Sequence, residues 1–332
     1  MGQIVCTAEY MVQAANASVV GNADCEHNDY DGGKRMNKLL IAALLTICLA
    51  TPNMSWAANA RDYIPLPSGT FLFCTYFKHI TANTFFANGK KTSDDYNFNE
   101  NLGILRPVYY TTIGKALYGD GGLTIDPQAL IPFGEFHLDG AAVLDKQFSA
   151  SGIADPTVFA TFWFVNSPKD KFWIGFSPYI TMPLGQYDKN RGALNLGTNR
   201  WTIRPELGIV KGFGDKTYLD VIFNGEFYTD NKDFEGNKKL AQDPVLGLET
   251  HLSYDISKSW YASLDYFYNH GGETKINGVK TANSEIDSHG LGLSLFWMIS
   301  SNNQLMIEYR DDFAIKNGPG TNTFGARWAY FF

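Results

Sequence analysis

Apolar and polar side chains alternate one for one along most of this chain. The final segment is the clearest case. Phe324, Ala326, Trp328, Tyr330 and Phe332 fall on one face, and Thr323, Gly325, Arg327 and Ala329 on the other. Successive side chains of a strand point to opposite sides of a sheet, so a period of two predicts a strand with unlike faces. The pattern recurs upstream. Leu305, Ile307 and Tyr309 oppose Glu308 and Arg310, and Leu291, Leu293, Leu295 and Trp297 oppose Gly290, Gly292 and Ser294. Trp260, Ala262, Leu264, Tyr266 and Tyr268 oppose Ser263, Asp265 and Asn269. Leu246, Leu248, Leu252 and Tyr254 oppose Glu249, His251 and Ser253. Leu219, Val221, Phe223 and Phe227 oppose Asp220, Asn224 and Glu226; Trp201, Ile203, Leu207 and Ile209 oppose Arg200, Arg204 and Glu206. Five less regular strands are predicted near 69–86, 97–113, 119–133, 153–165 and 171–184. Pro107, Pro127, Pro132, Pro178 and Pro183 interrupt them, because proline has no N–H to give a ladder. The total is twelve strands, the third being the weakest.

The connections alternate in length. Short turns are predicted near 114–118, 166–170, 213–216, 256–259 and 300–303. Longer polar loops fall near 87–96, 134–152, 185–198, 229–243, 270–287 and 315–320. Short turns on one side and long loops on the other, with an even strand number, describe an outer-membrane barrel. Alternation alone does not say which face is outside, but three features do. The strands are long, against about 5–6 residues in globular proteins. Tryptophans (Trp173, Trp201, Trp260, Trp297, Trp328) gather near strand ends, as interfacial girdles do. The chain stops on Phe332 with Trp328 and Tyr330 at alternate positions before it, which resembles the assembly signal of bacterial outer-membrane proteins. The predicted fold is all-β, a transmembrane antiparallel barrel of about 12 strands, a monomer surrounded by outer-membrane lipid and inserted by the barrel assembly machinery.

A leader precedes it. Lys34, Arg35 and Lys38 stand before an apolar run, Leu39–Ala50, followed by small residues at Ala57, Ala58 and Ala60. This is the order of a cleavable secretory signal, and the run is too short to span a bilayer. Residues 36–60 read as the signal peptide, with cleavage after Ala60 preferred and after Ala57 next. Residues 1–35 read as a non-native upstream extension, with Met36 the true start, and 61–332 as the barrel. Cys74 is the one cysteine of that mature chain, so it forms no internal disulfide; Ile47 before Cys48 does not suit lipidation. Charged residues are 18% and aromatics 15%, which argues against disorder. A net charge of −7 argues against a nucleic-acid partner, which demands a basic face.

An ordered series of short motifs then matters: Ser151-Gly152-Ile153-Ala154-Asp155-Pro156-Thr157, Pro183-Leu184-Gly185-Gln186-Tyr187-Asp188, Asn195-Leu196-Gly197 and Asn199-Arg200-Trp201. Pro205-Glu206, Thr229 to Phe234, Gln242-Asp243-Pro244, His251-Leu252-Ser253-Tyr254 and Ser263-Leu264-Asp265 follow. Together they resemble the MetA-pathway of phenol degradation family of outer-membrane transporters, over essentially all of 61–332. The resemblance implies a barrel that passes small, often aromatic or hydrophobic compounds. It does not make phenol the substrate.

Bond chemistry finds little support. No His-Glu-x-x-His motif is present. Gly212 to Thr217 lacks the Gly-Lys pair of a phosphate loop and reads as a hairpin, and Asp230, Asp233 and Glu235 read as a solvated loop rather than a calcium site. Glu249, His251 and Ser253 resemble the His and Ser, two positions apart, of an outer-membrane phospholipase. Here, however, they point inward, and same-face neighbours on a strand stand nearly 7 Å apart at ~3.4 Å per residue. A lipid-modifying enzyme built on His251 and Ser253 is the first alternative; an adhesive barrel acting through 134–152 and 270–287 is the second. The inward positions Arg200, Arg204, Glu206, Asp220, Glu226, Glu249, His251, Asp265, Glu308, Arg310 and Arg327 are the candidate lumen residues, lining a passage for small-molecule solutes or bracing a salt-bridged plug. No cofactor or metal is expected. The segment Arg61–Pro67 is too proline-rich to join the first strand, and the sequence leaves open whether it enters the lumen.

Overall fold

The structure is a computed structural model and describes residues 58–114 and 122–332. The predicted upstream extension, the leader up to Ala57 and most of the turn at 114–118 lie outside the described residues. Twelve strands form the wall: β1 (Phe71–Ala87), β2 (Asn97–Tyr109), β3 (Leu123–Asp139), β4 (Thr157–Ser167), β5 (Phe172–Thr181) and β6 (Thr202–Phe213). They continue as β7 (Thr217–Tyr228), β8 (Val245–Asp255), β9 (Trp260–Gly271), β10 (Ile286–Ser300), β11 (Asn303–Ile315) and β12 (Gly318–Phe331). Each pairs antiparallel with the next, and β12 returns to β1, from Leu72 opposite Phe331 to Phe86 opposite Gly318. The sheet is therefore a closed twelve-stranded barrel. Closure leaves no edge of unpaired backbone groups, which hydrocarbon could not satisfy.

The faces are set as in a lipid-bathed barrel. Leu293 is 63% exposed, and its cross-strand neighbours Leu264 and Tyr309 are half exposed. Arg204, Glu206, Asp220, Glu249 and His251 are buried. A barrel dissolved in water would show the reverse. Trp201, Trp297 and Trp328 are exposed on the outer face, with Trp260 stacked on Trp297 at 5.0 Å. Trp173 is the exception among the predicted girdle residues. It is buried and turned inward, where its indole N–H donates to Asn166 at 3.1 Å. Its neighbours Phe172 and Ile174 occupy the outer positions, so period two itself places Trp173 inside.

The third strand needs correction. It runs on to Asp139, where the alternation predicts a loop from 134, and Phe148–Ile153 folds back to pair with Phe133–Leu138. The cause is an inversion of pattern. Above the apolar belt Asn99, Glu135 and His137 face out, while Phe98, Phe136 and Leu138 turn inward and pack with Phe85 and Tyr96. Beyond the hydrocarbon the wall again meets water and takes the polarity of a soluble sheet. Inside the strands, proline weakens pairing locally. The β2–β3 register skips from Leu105–Ile131 to Val108–Gln128 across Pro107, and Pro178 of β5 faces Pro205 of β6.

The long loops are not featureless. Asn231–Phe234, Lys238–Gln242, Thr274–Ile276 and Val279–Lys280 zip two of them into a small four-stranded sheet. The Asp155 carboxylate pins two more, accepting from the Gly185 N–H at 2.8 Å and the Thr198 N–H at 2.7 Å. Lys316 hydrogen-bonds Glu285 at 2.6 Å and holds its carboxyl below the usual carboxylate range.

Leu293→Arg puts a charge into the middle of the apolar belt. It is expected to lower stability in lipid by ~2–4 kcal/mol, read from denaturant unfolding in bilayers.

Candidate functional site

The site is the barrel interior, and the residues immediately before β1 occupy it. Residues 58–67 enter the lumen as two tight turns, with Asp62 N–H donating to Asn59 O and Ile64 N–H to Arg61 O, both at 3.0 Å. Each side chain meets a prepared partner. Arg61 is sandwiched between the rings of Tyr218 and Tyr261, 4.2 Å from each centroid, and pairs with Asp255 at 2.6 Å. Its backbone N–H donates to Asp220 at 2.6 Å and its Nε to Ser253 Oγ at 2.9 Å. The Asp62 carboxylate lies between Arg106 of β2 at 3.2 Å and Arg327 of β12 at 3.3 Å. The Tyr63 hydroxyl is 2.9 Å from both Ser177 Oγ and Glu206 Oε1, and its carbonyl accepts from the Trp163 indole at 2.8 Å.

Two glycines make room for Tyr63. Gly175 and Gly208 face each other across β5 and β6. A methyl at Gly208 would lie 2.3 Å from the Tyr63 ring, and one at Gly175 2.8 Å away. Ile64 and Leu66 then pack at the short-turn end of the barrel against Val108, Tyr110, Trp163, Trp173 and Val210.

All eleven candidate lumen residues turn inward, and eight of them are buried: Arg200, Arg204, Glu206, Asp220, Glu249, His251, Asp265 and Arg327. Arg204 reaches Glu206 at 3.3 Å and Glu226 at 3.8 Å, and its guanidinium lies over Tyr179. Arg200, nearer the outer mouth, donates to Gln242 at 2.5 Å and covers Tyr228. Glu308 pairs with Lys78 at 3.1 Å. Arg310 pairs with Asp312 at 2.8 Å and lies over Phe267. Glu249 accepts from the Ala58 N–H at 3.1 Å and from Asn224 at 3.3 Å. His251 Nδ1 is 2.7 Å from Asp265, which also accepts from Ser263 and Ser294.

The Glu249, His251 and Ser253 trio does not assemble as a hydrolytic set. Asp265 holds one nitrogen of His251, Glu249 lies 3.9 Å from the other, and Ser253 is bound by Arg61. Trp328, Tyr330 and Phe332 lie together at the end of β12, Phe332 against Phe71 of β1. Sequence reasoning missed Arg106, Tyr76, Lys78 and Tyr179. On β1, β2 and β5 the inward positions mix apolar residues such as Leu102, Ile104 and Val108 with these polar ones, so no charged face stands out. The Gly175 and Gly208 positions, inward on adjacent strands, were the available sign that something bulky comes close.

Known proteins share the family and the fold. The sequence matches the family described as "Putative MetA-pathway of phenol degradation" over residues 81–328. The chain belongs to this family. Its fold is similar to that of the outer membrane channel from Pseudomonas putida F1, at 28% identity and a TM-score of 0.76, covering 83% of this chain and 100% of that one. The transport unit of the autotransporter AIDA-I from Escherichia coli shares the barrel fold alone, at 7% identity and a TM-score of 0.54, over 87% of this chain and 97% of that one. No protein of curated function matches the sequence. This member of the family is an outer-membrane channel protein.

Asp62→Ala leaves Arg106 and Arg327 facing each other without their shared carboxylate. The pair is half-buried, so the loss falls below the ~3–5 kcal/mol of breaking a fully buried one. The expected result is faster hydrogen exchange at residues 58–64, with the barrel strands unchanged.

Proposed function

We propose that the barrel passes small hydrophobic and aromatic molecules by passive diffusion, with residues 58–67 as the gate. The observation that carries this reading is the space left in the lumen. A cavity of about 40 Å³ lies between Ala58, Asp62 and Tyr63 on one side and Tyr76, Phe159 and Tyr179 on the other. It has room for a few waters; an apolar cavity that takes benzene is on the order of 150 Å³. At this level the inserted segment, rather than open water, stands against the aromatic wall. Withdrawal of the segment uncovers a wall of stacked aromatic rings, Phe159 and Tyr179 at 3.8 Å, beside the cations Arg106 and Lys78. Such a wall suits ring compounds that carry a hydroxyl or carboxylate.

In this reading the ion pairs of Arg204 with Glu206 and Glu226, and of Lys78 with Glu308, set the charge preference of the open passage. Transport makes and breaks no bond of the solute and uses no cofactor. A hydrolytic reading centred on His251 and Ser253 is disfavoured, because Asp265 engages the ring and Arg61 engages the hydroxyl.

Deletion of residues 58–67 from the mature chain is expected to raise single-channel conductance and the uptake of phenol and benzoate into liposomes. Conductance and uptake equal to the intact barrel would reject the gate. Arg204→Ala in the deleted form is expected to shift the reversal potential toward cation selectivity.

A further inference from the structure

The sequence allows two cuts between leader and barrel. Ser55 and Ala57 place small residues at the positions a signal peptidase reads, and so do Ala58 and Ala60. The second pair fits the Ala-x-Ala pattern better, but the interior of the barrel favours the first. Ala58, Asn59 and Ala60 are all buried, Ala60 at 2% exposure against Phe296 and Met306. Asn59 accepts from Arg327 at 3.2 Å, donates to Glu308 at 3.3 Å, and gives its carbonyl to the Asp62 N–H. A cut after Ala60 would discard these three residues, empty the space beside Phe296, and strip a partner from both Arg327 and Glu308. A cut after Ala57 keeps every contact.

The backbone nitrogen of Ala58 also has a telling neighbour. It lies 3.1 Å from Oε2 of Glu249, a carboxylate buried in the wall. The other direct contacts of that carboxylate are the neutral amide of Asn224 at 3.3 Å and the imidazole of His251 at 3.9 Å, which Asp265 already engages; the guanidiniums of Arg204 and Arg310 act on it from beyond ion-pair distance. A buried carboxylate is costly unless a cation meets it. An amide N–H supplies one hydrogen bond and no charge, whereas a terminal ammonium supplies a full positive charge and three donors.

We infer that signal peptidase cuts between Ala57 and Ala58, and that the α-ammonium created on Ala58 is the counter-ion of Glu249 inside the lumen. Hydrolysis of that amide consumes one water and leaves a carboxylate on Ala57 and an ammonium on Ala58. The leader departs with the former; the latter latches the gate segment. Occlusion of the barrel is thereby coupled to processing, because the latch exists only on the cleaved chain. The inference stands apart from the nature of the transported molecule.

The test uses protein purified from outer membranes. Intact mass and N-terminal sequencing are expected to give Ala58 as the first residue; a chain beginning at Arg61 overturns the inference. The folded barrel in detergent is then treated with an amine-reactive reagent and the Ala58 peptide read by mass spectrometry. Labelling is expected to be roughly tenfold slower than in denatured protein, as for a group released only by local opening. Equal rates overturn the latch. Glu249→Gln is expected to speed labelling toward the denatured rate while the unboiled protein still migrates as a folded barrel. A second variant leaves the wall untouched and inserts two glycines between Ala57 and Ala58, carrying the ammonium away from Glu249. Fast labelling is expected there as well, and protection as strong as in the native chain overturns the latch.

Discussion

Hydrocarbon on the outside is the constraint from which the rest of this molecule follows. A solvent that offers no hydrogen bonds forces the backbone to satisfy itself, and β12 must therefore find β1. The same solvent takes the apolar half of each alternating strand and leaves the ionic half nowhere to go but inward. Twelve strands enclose too much space for side chains alone to fill, yet too little for bulk water to dilute every charge. The interior answers by pairing: Arg204 with Glu206 and Glu226, His251 with Asp265, Lys78 with Glu308. The remaining room is taken by the chain itself.

The inserted segment is held by complementarity of several kinds at once. Arg61 uses two aromatic faces and a carboxylate, Asp62 two guanidiniums, and Tyr63 a pair of glycines and a buried glutamate. Together these contacts draw on seven strands of the wall. The segment is thus seated firmly while it remains a short peptide that local opening can release.

Much of this was legible in the alternation of residues. From β6 onward the outer face is predominantly apolar, so Arg200, Glu206, Asp220, Glu249, His251 and Asp265 stand out as the inward set, and the structure turns them all to the interior. The strand number and the short and long connections were readable for the same reason. Legibility failed where the solvent changes along a single strand. β3 passes from lipid to water near Gly134, and the reversal of its faces there has the polarity of a loop. It failed again for the lumen segment. Arg61, Asp62 and Tyr63 carry no periodic signature, and their partners are scattered from Arg106 to Arg327, a closeness that only barrel closure creates. Trp173 shows the weaker rule yielding to the stronger: residue type suggested an interface, and parity of position decided otherwise.

The seat of Asp62 has a temporal meaning. Its two guanidiniums come from the second strand of the wall and from the last, so half of the seat is missing until the final hairpin has joined the first strand. The segment can dock only on a finished cylinder. A half-built sheet in the bilayer is left without its stopper, and the arrival of the stopper reports that assembly is complete.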